Sequence, residues 1–519
     1  MTTVPTTWTP REAEWLRVAM RQTIEEFAEQ IGLSPRAVAK WKAEPDLVIS
    51  HAVQRDLDTM LRQRASDDER SRFNELAMAV LTVERHRAVE LRARLAQADH
   101  LHSALAWLDP GDRGGMVEDV LATAVRIDAV RGRRWRRVAI DRADVASVLH
   151  RYYADGFAEH CPVSAWLPGA EINLTVLSSP NWLADPWDML ADDGMSGRFV
   201  YEHHAAEPAH TTSAAWRRAA VARLAECLVD QTRFTDGRLF RMTGLRPNPS
   251  GMGASFTLGS FVRYALTSDL LESETINAIQ RGGAPRLPLR DQLIPRVEDV
   301  LDPGNRHCMG GPLALTAVAR PPQRGRAADF ALLIQERGGQ VLNAATRLAV
   351  IPKCFHEPTS EVEWDVDVAT SLTRELEEEL FGKAEVDTTR GTRTSIDPMH
   401  PDRLTEPLRY LSQAGPDAWT MEGTGFGFNL LTGNYEFPAL IAIHDGDFWE
   451  RYGGRVEANW EAEHVRFVSS LDHDALAALA GDPSWSDEGL FAFLLGIRRL
   501  QELHPERVAL PEIEMGFLR

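Results

Sequence analysis

Residues 23–42 read TIEEFAEQIGLSPRAVAKWK, and this stretch decides the fold at the N-terminus. Thr23, followed three residues later by Glu26, has the pattern of a capping box, which starts a helix. The glycine in the middle of the stretch supplies the left-handed residue that ends this short helix. Ser34 then caps a second helix, and Pro35 fits its first position because no N–H is needed there. The spacing predicts two short helices joined by a tight turn.

The second of these helices has an apolar face and a polar face. We expect Val38 and Trp41 to face the first helix, which leaves the polar face outward. A helix-turn-helix places its second helix in the DNA major groove, where exposed side chains reach base edges. The alternative is a structural helical hairpin without DNA contact. The first interpretation predicts a DNA-binding set of six residues: Ser34, Arg36, Ala37, Lys40, Lys42 and Arg21.

Residues 8–64 resemble a lambda-repressor-like, or XRE-type, DNA-binding domain. The matching segment is EEFAEQIGLSPRAVAKW, with helices predicted on either side of it. A capping box at Thr9-Pro10-Arg11-Glu12 starts one flanking helix, and residues 51–64 form another. The resemblance implies a bundle of four or five helices whose recognition helix runs from Ser34 to Lys42. It also implies a double-stranded DNA operator as partner and a homodimer, because operator half-sites are paired.

Composition limits the ways in which this chain can meet DNA. A length of 519 residues predicts roughly three domains. The net charge of −19 repels phosphate over most of the surface, so any DNA contact must be local. Three features predict a cytoplasmic protein without a membrane partner. The four cysteines are scattered, no apolar run is long enough to span a bilayer, and no apolar segment lies near the N-terminus.

The segment from Arg70 to Leu108 is predicted to be helical throughout. Its apolar residues recur at roughly heptad spacing: Phe73, Leu76, Val80, Val83, Leu91, Leu95, Ala98 and Leu105. One interpretation is a spacer or dimerisation helix, and the other is an ordinary helix packed on its own body. Residues 128–300 then mix helices and strands, and no chemistry can be assigned to them. Within them, the basic run 131–137 is either a nucleic-acid contact or a solvated turn before a strand at 137–140.

An acidic helix is predicted at residues 369–382, with the sequence ATSLTRELEEELFG. Leucines at four-residue spacing form a buried stripe, while Glu375, Glu378 and Glu379 lie together on another face. Carboxylates this close repel one another unless a divalent cation such as Mg²⁺ lies among them. The alternative is a charged helix that faces water.

Residues 310–479 resemble the Nudix family. Arg374-Glu375-Leu376-Glu377-Glu378-Glu379 matches the helical core of its signature, ALLIQERG looks like the preceding strand, and 459–468 resembles its late acidic segment. The resemblance implies an α/β/α sandwich with Mg²⁺ as cofactor. The implied metal ligands are Glu375, Glu378, Glu379 and Glu463, with Glu461 as an alternative to the last. Glu375 and Glu379 would be catalytic if the site is active.

Several positions depart from the Nudix pattern. The upstream glycine and glutamate of the signature fall at Ser360 and Val366, and the glycine after the last glutamate falls at Phe381. The family's Pro-Gly-Gly turn is Pro352-Lys353-Cys354, which lacks the glycines that let such a loop bend around phosphates. We therefore expect a Nudix-like fold with weak or absent hydrolysis, acting as a ligand sensor.

These patterns predict a multidomain α+β protein. Its parts are an N-terminal all-α helix-turn-helix bundle (1–66), a helical spacer or dimerisation segment (67–127), a mixed α/β region (128–300) and a Nudix-like α/β/α sandwich (301–519). The predicted function is a DNA-binding transcriptional regulator that senses a small molecule such as a nucleotide derivative. The alternatives are a magnesium-dependent Nudix hydrolase of nucleoside diphosphate derivatives and a protein that assembles with partners without DNA.

Overall fold

The chain is a mixed α+β protein, about 50% helical and 22% strand. The computed structural model describes residues 5, 7–41, 49–108, 111, 113–127, 140–191, 198–208, 213–232, 234–248, 251–282, 285–338, 346–359, 361–383, 399–453 and 462–518. It divides into two compact units, an N-terminal unit (Met1–Gln97) and a C-terminal unit (Ala98–Arg519). Across the described residues, every helix is too short or too polar to cross a membrane.

The N-terminal unit is helical in its described residues. Its helices are α1 (Pro10–Ala19), α2 (Ile24–Gln30), α3 (Pro35–Lys40), α4 (His51–Thr59) and α5 (Asp67–Ala96), with one π-helical segment at Met60–Arg64. Apolar side chains from all five helices form one core, which includes Leu16, Phe27, Val38, Leu57 and Phe73. Burial of these side chains holds the short helices, because helices of six or seven residues are not stable alone.

Three helices of this unit begin at capping boxes, and two of these starts are predicted above. Glu26 Oε2 accepts from the Thr23 N–H at 2.8 Å while Thr23 Oγ1 accepts from the Glu26 N–H at 3.2 Å. The same arrangement occurs at Thr9 with Glu12 and at Ser66 with Glu69. Gly32 lies at φ +68°, the left-handed conformation predicted for the end of α2.

Residues 70–108 are helical, as predicted, except at Gln97 and Ala98, where the helix is interrupted. Helix α5 ends at Ala96, and a separate helix α6 (Asp99–Leu108) begins after the buried Ala98. The predicted heptad stripe is only partly buried, because Phe73 and Leu91 are buried whereas Val83 is 65% exposed.

The C-terminal unit contains the remaining elements. Its helices are α6, α7 (Arg113–Arg126), α8 (Arg142–Tyr153), α9 (Ala214–Asp230), α10 (Phe261–Ala265), α11 (Leu270–Arg281), α12 (Arg290–Leu293), α13 (Val297–Leu301), α14 (Val362–Asp365), α15 (Val368–Leu380), α16 (Glu406–Ala414), α17 (Gly446–Tyr452), α18 (His473–Ala480) and α19 (Asp487–Leu503). Its strands are β1 (Cys161–Leu167), β2 (Ala170–Ser178), β3 (Trp187–Asp188), β4 (Phe199–Tyr201), β5 (Arg238–Asn248), β6 (Gly251–Ser260), β7 (Gly310–Arg320), β8 (Asp329–Arg337), β9 (Leu348–Val350), β10 (Trp419–Gly423), β11 (Gly427–Asn429), β12 (Tyr435–Ile443), β13 (Ala462–Ser469) and β14 (Glu514–Phe517).

Eleven of the described strands form one mixed sheet. Its main path is β13-β8-β7-β12-β11-β2-β1-β14, with β9 on β8, and with β10 between β12 and β3. Strands β7 and β12 are parallel, and their register pairs Leu313 with Pro438 and Val318 with Ile443. A smaller sheet has the order β4-β6-β5. Because β1 and β2 belong to the large sheet, that sheet spans the predicted boundary at residue 300.

The two faces of the large sheet are covered by different helices. On β7, Leu313 and Leu315 pack into the cluster that contains the buried face of α19. Their neighbours Ala314 and Val318 pack into the cluster that contains Leu376 of α15. Alternate residues of a strand point to opposite faces, so this alternation places α19 on one face and α15 on the other.

Two predicted elements of the C-terminal unit differ from the structure. The apolar spacing of Phe261, Tyr264, Ala265 and Leu271 predicts one helix over residues 260–272. The structure has two helices there, α10 and α11, and between them the buried Asp269 forms an ion pair with Arg223 of α9. Residues 361–367 are acidic, and from the sequence we expect a loop there. The structure instead has the short helix α14 in this segment, where Asp365 accepts from the N–H groups of Thr359 and Glu361. The basic run 131–137 lies outside the described residues.

Candidate functional sites

The first candidate site is the outer surface of α3 in the N-terminal unit. Ser34 Oγ accepts from the Ala37 N–H at 3.2 Å, which fixes the start of the helix. Val38 is buried in the core of the unit and Trp41 packs against that core, as predicted. The apolar face of α3 is therefore anchored, and its other face is available for contacts.

The structure places the six predicted DNA-binding residues as follows. Arg36 is exposed on α3, Ser34 is exposed at the N-cap of that helix, and Ala37 is half-buried. Arg21 is exposed in the turn between α1 and α2, where its φ of +57° lies in the left-handed region. Lys40 ends α3 with a side chain outside the described part of the chain, and Lys42 lies wholly outside it.

The second candidate site is the acidic face of α15 in the C-terminal unit. Glu378 and Glu379 are buried, so the interpretation of α15 as a charged helix facing water is wrong. Glu375 contacts the buried Arg374 at 3.0 Å, and Glu379 Oε2 accepts from the Lys353 N–H at 3.0 Å. Donors of the chain itself therefore lie against two of the four predicted metal ligands, Glu375 and Glu379.

The other residues expected at this site are only partly described. Glu463 lies in β13 with its side chain outside the described residues, and Glu461 lies outside them entirely. Among the side chains that are described, no three His, Cys, Asp or Glu residues come together in a way that would hold a metal ion. The buried Glu377 has a structural role instead, since it accepts from Thr405 Oγ1 at 2.6 Å and contacts Lys383.

His356 is a buried residue near α15 that the sequence analysis did not select. Its Nε2 lies 3.0 Å from the Val366 carbonyl oxygen and its Nδ1 lies 2.9 Å from Ser371 Oγ. A carbonyl can only accept, so Nε2 carries the proton and Nδ1 accepts from the hydroxyl. Burial lowers the pKa of His356 to about 3, and its ring stacks on Phe240. The imidazole is therefore neutral and fixed in one orientation.

A third site, which no sequence pattern indicated, is a buried ion pair between a residue that follows β9 and a residue of α19. Lys353 Nζ lies 2.5 Å from Glu488 Oε1, and the amide of Asn429 donates to Glu488 Oε2 at 3.2 Å. Burial raises the pKa of Glu488, but the contact with Lys353 outweighs it and holds that pKa below its ordinary value. Burial, reinforced by the charge of Glu488, raises the pKa of the neighbouring Glu436 well above its ordinary value.

This ion pair lies at the wall of a cleft near the start of α19. Asp487, the first residue of that helix, accepts from Arg142 at 3.0 Å and from the Thr175 N–H at 3.1 Å. The cleft is open to solvent on one side, and the roughly 630 Å³ of non-atom space in and around it includes that open side. Its lining comes from α8, α11, β2, the end of β11 and the turn after it, the start of α19, and the residues just before α8, β9 and α19.

The turn that closes one side of this cleft, residues 429–434, is held by two buried arginines. Arg290 donates to the carbonyl oxygens of Leu430 and Leu431, and Arg306 donates to that of Gly433 at 3.0 Å. Each guanidinium also binds other parts of the unit, so the turn is fixed against α12 and α13. The cleft therefore has a preformed wall.

The partners in this cleft come from distant parts of the sequence. Arg142 and Asp487 are 345 residues apart, and Lys353 and Glu488 are 135 apart. No local spacing links such residues, so no sequence signal was available to find them.

Comparisons with known proteins add no assignment, because neither a family model nor a curated protein matches this chain.

Proposed function

We propose that this protein is a DNA-binding transcriptional regulator, in which α2 and α3 act as a helix-turn-helix. The observation that carries the proposal is the placement of α3, which buries Val38 in the core and exposes Ser34 and Arg36. A recognition helix needs this arrangement, because its apolar face must be anchored while its polar face reaches base edges.

The distribution of charge is compatible with a local DNA contact. Residues 1–66 contain nine basic and nine acidic residues, whereas the whole chain has a net charge of −19. Repulsion of phosphate therefore comes mainly from the C-terminal unit, and the basic side chains of the N-terminal unit supply the attraction. Binding of this kind weakens as salt rises, because phosphate contacts release condensed counterions.

We further propose that the C-terminal unit contains a Nudix-like domain that binds a small molecule, such as a nucleotide derivative. The proposal is supported by helices on both faces of a mixed sheet, with the Arg374–Glu379 motif on one of them. Binding of the molecule changes DNA affinity through a coupling free energy between the two sites, which is typically about 1–3 kcal/mol.

The regulator is tested by fluorescence polarisation on fragments that genomic selection recovers with the full chain. Arg36→Ala should weaken specific binding by roughly 5- to 150-fold, the loss expected for a base contact. Arg55→Ala, an exposed arginine on α4, is the matched control and should change affinity little. If no fragment binds in a salt-sensitive way, or if both variants behave alike, the proposed recognition surface is wrong.

A homodimer on paired half-sites is part of this proposal. Mass photometry of the complex should show two chains per operator, and footprinting should show two protected segments about one helical turn, or a multiple of it, apart. One chain on an unpaired site would contradict it.

The enzymatic alternative rests on three carboxylates, Glu375, Glu378 and Glu379, within little more than one turn of α15. They, with Glu463, would hold Mg²⁺. Because Arg374 and the Lys353 N–H lie against two of them, the sensor is our main proposal. A panel of nucleoside diphosphate derivatives is assayed with Mg²⁺. Turnover that Glu378→Gln abolishes would show that the domain is a hydrolase and not a sensor.

A further inference from the structure

The lining of the cleft at the start of α19 contains both signs of charge. Arg142 and Arg347 supply positive charge, and Glu272, Asp487 and Glu488 supply negative charge. Within the wall, Asp487 is paired with Arg142 and Glu488 is paired with Lys353. When Lys353, which lies behind the wall, is counted, three positive side chains balance three negative ones. The cleft therefore does not favour a ligand with a large net charge.

Arg142 has donors to offer to a ligand. Both of its hydrogen bonds, to the Asn173 carbonyl oxygen and to Asp487, come from Nη1. Its Nε has no acceptor among the described residues. A guanidinium only donates, and it matches a carboxylate in shape and charge. The cleft therefore offers a position for a carboxylate group.

Glu272 offers the complementary contact from a different wall. It lies on α11, is 8% exposed and lines the same cleft. An ionised carboxylate has four lone-pair sites, so it can accept from an ammonium group in addition to a contact within the protein. The uncharged part of the lining includes apolar side chains (Val145, Ile276, Leu431 and Trp485) as well as the polar residues Thr175, Asn429, Thr432 and Ser486.

We propose that this cleft binds a small zwitterionic α-amino acid with an apolar side chain. Arg142 binds its carboxylate, Glu272 binds its ammonium group, and the apolar lining covers its side chain. The wall at 429–434 is already fixed by Arg290 and Arg306, so little ordering is needed when the ligand binds. The site lies near the start of α19, which packs on the opposite sheet face from the acidic helix α15.

The test is isothermal titration calorimetry of the full chain without DNA. The ligands are L-valine, L-leucine, L-isoleucine and L-methionine, with isovalerate and isobutylamine as fragments of valine that lack the ammonium or the carboxylate group. At least one amino acid should bind, and each fragment should bind roughly tenfold more weakly or not at all, because each loses one charged hydrogen-bonding group. No binding of any of the four at millimolar concentration, or equal binding of the fragments, would overturn the proposal.

Variants locate the site. Arg142→Gln and Glu272→Gln should each reduce affinity by roughly tenfold or more. Arg499→Gln is the matched control, since Arg499 lies on the same helix α19 and pairs with Glu422 away from the cleft. Leu431→Trp blocks the cleft and retains the backbone carbonyl that Arg290 binds, so it remains informative if Arg142→Gln fails to fold. Unchanged binding in both Glu272→Gln and Leu431→Trp would place the ligand elsewhere, and the DNA measurements above are unaffected by either result.

Discussion

Replacing Lys353 with methionine tests whether the buried ion pair supports the C-terminal unit. The Lys353 side chain is 10% exposed, and that of its partner Glu488 is 7% exposed. Methionine keeps most of the aliphatic stem but removes the ammonium group. Glu488 then retains the amide of Asn429 but loses its nearest positive charge.

The expected cost is large because a buried charge is left without its partner. Breaking a buried ion pair by removing one side costs about 3–5 kcal/mol. The entropy of unfolding is about 2.1 cal/mol/K per residue, which gives roughly 0.9 kcal/mol/K for a unit of roughly 420 residues. The melting temperature of the C-terminal unit should therefore fall by about 3–6 °C.

The stability that Lys353→Met loses should depend on pH in a defined direction. In the natural protein Lys353 holds the pKa of Glu488 below its ordinary value. The ion pair therefore stabilises the folded state when the pH is above that ordinary pKa, and this stabilisation is lost as the pH falls through the lowered pKa. Without Lys353, burial raises the folded pKa of Glu488, and stability is lost as pH rises through it. The deficit of Lys353→Met should therefore be largest near pH 8 and smallest near pH 5.

Differential scanning calorimetry at several pH values measures this deficit. Arg498→Met is the matched control, because Arg498 pairs with Glu502 on the same helix α19 but both side chains are more than 40% exposed. An exposed pair of this kind contributes about 0–1 kcal/mol, so its melting temperature should shift by about 1 °C or less. If both variants lose the same amount at every pH, the buried pair does not stabilise the unit as argued.

Three further predictions concern neighbouring residues. Glu436→Gln should reduce the fall in melting temperature between pH 5 and pH 8, because the raised pKa of Glu436 makes the natural protein less stable as pH rises; a calorimetric profile parallel to that of the natural protein would contradict this. Gly433→Ala should cost about 1–2 kcal/mol in chemical denaturation, since φ at this position is +77°, and a neutral result would mean that the turn relaxes. The Thr405 N–H donates a hydrogen bond to the Glu377 carboxylate at 2.7 Å, so Glu377→Gln should speed hydrogen exchange at this N–H by roughly tenfold. Unchanged exchange would show that Lys383 and Thr405 hold the segment without this carboxylate.

The sequence alone determined features whose partners lie within a few residues of each other. The caps at Thr23 and Ser34 follow from side chains that bond to backbone groups three residues away. A helix over residues 487–503 is expected from the helical period of Leu490, Phe491, Leu494, Ile497 and Leu500, and α19 has these bounds. The same local information predicted the acidic motif of α15 but not its burial, which depends on what packs over it.

Only the tertiary structure decided which residues meet in the cleft and at the ion pair. Arg142, Lys353, Asn429 and Glu488 are brought together by the order of strands in the large sheet and by the helix packed against it. The strand order is set by the burial of apolar faces over the whole unit. The spacing of the polar residues along the sequence therefore does not predict it. The surface of α3 could therefore be predicted from its own sequence, whereas the ligand cleft could not.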